Sequence, residues 1–137
     1  MRIEHSDEDT LEFMDAAAMS YMAVVVHKLN STLIEKGIKE VSQRREICTS
    51  FLFDFAYNDD AGWLSHGDQT LFPKVCFAER AAPAQDENLG GIETLHVSTG
   101  ASSWHEYAIG VVDQYFDEDR ESIAGFRTGS YSDEDTE

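Results

Sequence analysis

Between Thr10 and Lys36, apolar residues recur at intervals of three and four positions. Residues at these intervals lie on one side of an α-helix, so the pattern predicts a long amino-terminal helix. Its apolar face comprises Leu11, Met14, Ala18, Tyr21, Val25 and Leu29. Further residues make the helix apolar on more than one side, and this predicts that it is central to the fold or lies in a subunit interface. They are Phe13, Met22, Val24 and Val26. Self-association into a homodimer is therefore one hypothesis for this helix.

A second helix is predicted from Ser42 to Tyr57. Its predicted inner stripe comprises Ile47, Cys48, Phe51, Leu52 and Phe55. The helix begins beside Arg44 and Arg45, the one adjacent pair of basic residues in the chain. Two arginines without a glycine-rich loop or an aromatic platform are weak evidence for a phosphate-binding site. The simpler interpretation is that they balance acidic residues of the first helix at the surface.

Two β-strands are predicted next, from Leu71 to Glu79 and from Ile92 to Val97, because both segments are rich in residues that favour strands. One loop that ends in glycine separates them, so the simplest arrangement is an antiparallel pair. Trp63 and Leu64 lie between two predicted turns. We expect them to fold back onto the core, where they could form a short third strand.

A last helix is predicted to begin after Ser103, because Glu106 follows this serine at the spacing of a capping box. Its apolar stripe comprises Trp104, Tyr107, Ala108, Val111, Val112, Tyr115 and Phe116. The fold expected from these elements is a single α+β domain over residues 1–128. It contains a long amino-terminal helix, a second helix, a small antiparallel β-sheet and a carboxy-terminal amphipathic helix packed on the sheet. Residues 129–137 are expected to form an acidic, disordered tail that stays solvated.

Charge narrows the class of partner. The 137 residues include 27 acidic and 10 basic side chains, a formal net charge of -17. Such a chain repels nucleic acid and anionic membranes and attracts cationic surfaces. We therefore expect a basic protein as partner, with no direct binding of nucleic acid and no membrane association.

The expected compartment is the cytoplasm. The amino terminus lacks the basic and apolar regions of a secretory signal. The longest apolar-rich stretch, from Met19 to Val26, is too short to span a bilayer. Cys48 and Cys76 lie in apolar runs, and the expected state of both is a small buried thiol.

Three segments resemble catalytic or calcium-binding motifs, and each lacks a residue that the chemistry requires. The helix that begins His105-Glu106 has Ile109 where a zinc protease needs its second histidine. Trp104 replaces the last glycine of a nucleophile elbow. The acidic run from Asp117 lacks the glycine and the final glutamate of a calcium loop. No catalytic residue and no cofactor is predicted from these motifs.

A looser set of metal-ligating side chains carries the alternative of a small metal-dependent enzyme. The set comprises His66, Asp68, His96, His105 and Glu106. Imidazole and carboxylate groups suit zinc or manganese. Each member also has an ordinary explanation as a turn, strand or first-turn residue, so no metal site is predicted.

The acidic clusters favour a non-enzymatic binding protein that inhibits or regulates a basic partner, such as a toxin or a nucleic-acid-handling protein. Clustered carboxylates can imitate the phosphates of a nucleic acid, so nucleic-acid mimicry is one form of this hypothesis, as in an immunity protein. The predicted partner-binding residues are Asp113, Asp117, Glu118, Asp119 and Glu121, with Asp59 and Asp60 as a second patch. A structural or adaptor subunit whose acidity serves only solubility remains the other alternative.

Overall fold

The computed structural model describes residues 1–5, 11–80, 91–97 and 104–117, and these residues form three helices and five strands. The helices are α1 (Leu11–Glu35), α2 (Val41–Ala61) and α3 (Trp104–Asp117). The strands are β1 (Arg2–His5), β2 (Leu64–His66), β3 (Gln69–Leu71), β4 (Phe77–Arg80) and β5 (Ile92–Val97). This arrangement confirms the predicted α+β fold. Ser103 and the predicted tail at 129–137 lie outside the described residues.

The core lies where the three helices meet, and each helix contributes large side chains that are fully buried. Met22 and Val26 come from α1, Leu52 from α2, and Val112 and Tyr115 from α3. Burying an aliphatic side chain of this size contributes roughly 1.5–3 kcal/mol. Buried alanines lie among them and let the helix backbones approach closely, namely Ala18, Ala23, Ala56 and Ala108.

The buried face of α1 is rotated from the one that the spacing predicts. Met22 is fully buried, whereas Tyr21 is 38% exposed. The reason is that α1 packs against both α2 and α3, so its second apolar side is also covered within the chain. Self-association is therefore not needed to cover Met22 and Val26.

The larger sheet has the strand order β1-β5-β4. Strands β4 and β5 are antiparallel, as the sequence predicts, whereas β1 pairs with β5 in parallel. The predicted strand from Leu71 to Glu79 is in fact two strands with an irregular segment between them. Pro73 lies in that segment, and proline cannot donate a backbone hydrogen bond to a neighbouring strand.

Strands β2 and β3 form a separate two-stranded hairpin rather than part of the larger sheet. Its turn consists of Gly67 and Asp68, and Gly67 has a φ of +59°, as tight hairpin turns require. Trp63 and Leu64 are 64% and 62% exposed. The expectation that they fold back onto the core is therefore wrong, because the hairpin carries them outward.

Candidate functional site

Two of the predicted partner-binding acids form ion pairs with an arginine of the same chain. Asp113 and Asp117 lie one turn apart on α3, and Arg45 of α2 reaches both. One guanidinium nitrogen of Arg45 lies 2.7 Å from Asp113, and two lie 2.7 Å and 2.8 Å from the two oxygens of Asp117. The hydrogen bonds from Arg45 lower the pKa of Asp117. These two acids therefore tie α3 to α2, and Glu118, Asp119 and Glu121 lie outside the described residues.

Arg44 points to a different part of the molecule. Its Nε donates to the side-chain oxygen of Asn30 on α1 at 2.8 Å. Its Nη1 donates to the carbonyl oxygens of Ile38 and Lys39 in the segment between α1 and α2. The adjacent arginines thus hold three helices together, Arg44 through an amide and carbonyls and Arg45 through the acids of α3. The expectation that both balance acids of the first helix is wrong.

Asp59 is a buried structural residue, with 9% of its surface exposed. One of its carboxylate oxygens accepts a hydrogen bond from the backbone N–H of Val75 at 2.7 Å. The ammonium group of Lys74 contacts the Asp59 carbonyl oxygen. Burial raises the pKa of the Asp59 carboxyl, which means that the charged form is disfavoured in the folded protein. Asp59 thereby fixes the segment that leads into β4.

Asp60 caps the amino terminus of α3 from the end of α2. Its two carboxylate oxygens accept the backbone N–H groups of Trp104 and His105 at 2.9 Å and 2.8 Å. The Nδ1 atom of His105 also lies 2.6 Å from the Asp60 carboxylate. A carboxylate at this position satisfies unpaired N–H groups and suits the positive end of the helix dipole. Asp59 and Asp60 thus both make hydrogen bonds inside the fold, Asp59 with Val75 and Asp60 with the start of α3.

The histidines of the alternative metal site lie apart. His96 pairs with Glu79 at 3.0 Å on the three-stranded sheet, and His105 pairs with Asp60. His66 is in the exposed hairpin. Within the described ranges, no group of three or more histidine, cysteine or acidic side chains is arranged to hold a metal ion.

A buried polar network connects α1, α2 and α3. The Tyr115 hydroxyl, which is 2% exposed, lies 2.7 Å from Nδ1 of His27 and 3.5 Å from the amide nitrogen of Asn30. Asn30 in turn accepts the hydrogen bond from Arg44. A network of this kind fixes the relative positions of the helices, because leaving any of its buried groups unpaired is costly.

The outer face of α2 is a surface that the sequence interpretation missed. It contains an open groove of about 530 Å³ lined by Gln43, Glu46, Ile47, Ser50, Phe51 and Asp54. Ile47 and Phe51 were predicted to face inward, but Phe51 is 47% exposed and Ile47 only half-buried. The inner stripe of α2 comprises Cys48, Leu52, Ala56 and Asp59. The spacing of the groove residues was visible in the sequence, but apolar residues lie on both sides of α2, so spacing alone did not decide which stripe is buried.

Comparison of the chain with protein-family models, curated proteins and solved structures found no significant match. Among the described residues, no helix has the length and apolar character needed to cross a bilayer.

Proposed function

We propose that the protein is a non-enzymatic acidic binding protein that inhibits or regulates a basic protein partner. The single observation that carries the proposal is the different placement of the two kinds of charge. Several basic side chains contact other parts of the fold, whereas Lys28, Lys36 and Lys39 are exposed and a larger number of acidic side chains face solvent. The surface of the described residues is therefore strongly negative.

Four basic side chains make contacts within the described residues. Arg44 and Arg45 connect the helices, Lys74 contacts the end of α2, and Arg2 pairs with Glu4 at 3.1 Å. An arginine or lysine held in such contacts is less able to attract a nucleic acid or an acidic protein. This placement supports a cationic partner.

Many carboxylates are exposed and take part in no ion pair within the described ranges. They include Glu35, Glu40, Glu46, Asp54, Asp68, Glu93 and Glu106. Exposed charges of one sign steer an oppositely charged partner and raise its association rate, mainly at low salt. A basic groove that normally binds phosphates is a natural target, and its occupation by carboxylates would block nucleic acid.

The test begins with capture of proteins from native lysate on the immobilised chain, followed by purification of any retained protein. Association rates are then measured at low and moderate salt for the native chain and two variants. One variant neutralises Glu118, Asp119 and Glu121, and its matched control neutralises Glu35, Glu40 and Asp68. Asp113 and Asp117 are left intact because they hold α3 to α2 through Arg45.

We expect a basic partner whose association slows as salt rises, with a larger loss in the first variant than in the control. A partner that is acidic or neutral, or that associates at the same rate at both salt concentrations, would contradict the proposal. Equal loss in the two variants would retain the acidic binding protein but remove the predicted cluster as its main site.

A further inference from the structure

We propose that the groove on the outer face of α2 binds an amphipathic helix that carries two cationic side chains on either side of an apolar one. This inference rests on the proposed function, because it assumes a basic partner. It adds the place of binding and the pattern of the segment that binds.

The groove is long enough to accommodate three turns of a helix. Its lining begins at Gln43 and ends at Asp54, eleven residues later on the same helix. At 1.5 Å per residue this is roughly 16 Å, or three turns. A helix packed along it would match the groove over about the same length, as in other complexes in which an amphipathic helix occupies a groove.

The centre of the groove is apolar, and its aromatic ring packs against rings of the core. Phe51 exposes nearly half of its surface, yet its ring stacks on Phe55 with centroids 6.2 Å apart and an interplanar angle of 18°. Phe55 in turn contacts the ring of Trp104, which is buried. Phe51 is therefore anchored to the core while its outer side remains open. Such a ring can receive an apolar side chain with little further loss of conformational freedom.

The two carboxylates of the groove lie on either side of this apolar centre. Glu46 and Asp54 are exposed, and they are eight residues apart, which corresponds to about 12 Å along the helix. Arg44 and Arg45, the nearest basic residues in sequence, are held by Asn30 and by the acids of α3. The complementary segment is therefore cationic at both ends and apolar in the middle.

The same charges argue against a second copy of this chain as the occupant. A second copy would bring its own Glu46 and Asp54 and a further net charge of -17 to the groove. Like charges brought together oppose association. The favoured occupant is a helix with lysine or arginine at positions i and i+7 or i+8, and leucine, isoleucine, methionine or phenylalanine at i+3 or i+4.

The probe is a labelled synthetic helical peptide with this pattern, and its control is a peptide of the same composition in scrambled order. Binding is measured by fluorescence anisotropy against the intact chain and its variants. We expect the patterned peptide to bind and the scrambled one to bind at least tenfold more weakly, about the effect of one well-placed anchor.

Two pairs of variants test the location. Glu46→Gln with Asp54→Asn removes both groove charges, and Glu35→Gln with Asp68→Asn removes two exposed charges outside α2. Ser50→Arg places a cation in the groove without removing a core contact, and Ser31→Arg makes the same change on an exposed position of α1. We expect the groove variants to weaken binding about tenfold or more and the controls to change it less than twofold. Thermal unfolding verifies that all four variants remain folded.

The possible outcomes separate this inference from the proposed function. Equal weakening by groove and control variants would show that the peptide follows overall charge, which overturns the groove and retains the acidic binding protein. Failure of the patterned peptide to bind, while a captured basic partner still associates in a salt-dependent way, would also overturn the groove alone. Failure of both the peptide and any basic partner to bind would overturn both proposals.

Discussion

The Asp60 carboxylate lies 2.6 Å from Nδ1 of His105 and also accepts the backbone N–H of His105 at 2.8 Å. The two residues are 45 positions apart in the sequence, at the end of α2 and the start of α3. The Asp60 side chain, near the end of α2, thus caps the first turn of α3. The imidazole ring also lies edge-on to Phe53 and Tyr57, with centroids 5.8 Å and 5.7 Å away, so its position is fixed on several sides.

Replacement of Asp60 should lower stability whether the new residue is alanine or asparagine. Asp60→Ala removes the cap of α3, a change that typically costs about 0.5–2 kcal/mol. Asp60→Asn keeps only one acceptor oxygen, whereas Trp104 and His105 donate to different oxygens. In denaturant unfolding, both variants should therefore have a lower free energy of unfolding than the native chain. Asp54→Asn, an exposed change on the same helix, is the control, and equal stability of Asp60→Asn and this control would contradict the assigned cap.

The neighbouring Asp59 should respond differently to the same two substitutions. Because burial raises its pKa, the folded state holds a proton on Asp59 more tightly than the unfolded chain does. The resulting stabilisation is present below the unfolded pKa and is lost as pH rises through the folded pKa. Asp59→Asn avoids a buried charge and can still accept the Val75 N–H, so it should be at least as stable as the native chain at neutral pH.

Asp59→Ala leaves the Val75 N–H without its acceptor and should cost about 1–3 kcal/mol. Unfolding curves of both variants at neutral and acidic pH provide the measurement. The advantage of Asp59→Asn over the native chain should shrink as pH falls, because the native carboxyl becomes neutral. An Asp59→Asn protein that is much less stable than the native chain at neutral pH would show that the charge itself holds Lys74 and the segment around it.

Sequence periodicity was sufficient to predict the helices and strands that have long, regular patterns. The spacing from Thr10 to Lys36 closely predicts α1, and the apolar stripe after Ser103 predicts α3. Strand β5 and its antiparallel neighbour β4 also agree with the prediction. Strand β1 was missed because its four residues include three polar ones and its partner β5 is far away in the sequence.

The roles of the acids could not be predicted from their spacing. Asp113 and Asp117 look like part of a solvated run, yet Arg45 binds them across 68 and 72 positions of sequence. Asp59 and Asp60 look like a simple turn pair, but they accept hydrogen bonds from Val75 and from the start of α3. These contacts depend on how α2 and α3 pack, which local sequence does not specify. The sequence therefore predicted the helices better than the surface that they leave open.

Arg45→Gln should lower the melting temperature by more than Lys28→Gln, which also removes one positive charge but at an exposed site on α1. The reason is loss of the tie between α2 and α3 and the repulsion that remains between Asp113 and Asp117. The hydrogen bond from Arg45 lowers the folded pKa of Asp117, so its stabilising effect is present above the unfolded pKa and is lost as pH falls through the folded pKa. Melting temperatures across the acidic range should therefore converge for native and Arg45→Gln proteins. A difference that stays constant down to the lowest pH would contradict the ion pair.

Tyr115→Phe should destabilise the protein because it removes the hydroxyl that lies near His27 and Asn30. The expected loss is about 0.5–1.5 kcal/mol, the usual net value of a buried hydrogen bond. Tyr57→Phe is the matched control, since its hydroxyl is on an exposed side chain and its ring can still stack on Phe53. Denaturant unfolding should separate the two variants. Similar stabilities would mean that the Tyr115 hydroxyl contributes little to the packing of the three helices.

The two cysteines should differ in their reactivity, because the expectation that both are buried thiols is wrong for Cys76. Cys48 is fully buried, and burial raises its thiol pKa to about 11, whereas Cys76 is exposed. Local desolvation and the nearby charge of Asp59 also raise the pKa of Cys76, so its reaction at neutral pH should be slow. A thiol-specific reagent should label Cys76 alone in the native protein and both cysteines after denaturation. Asp59→Asn should accelerate labelling of Cys76 without exposing Cys48. Mass spectrometry of the labelled peptides tests this directly, and labelling of both native thiols at the same rate would show that the helical core opens far more readily than its packing implies.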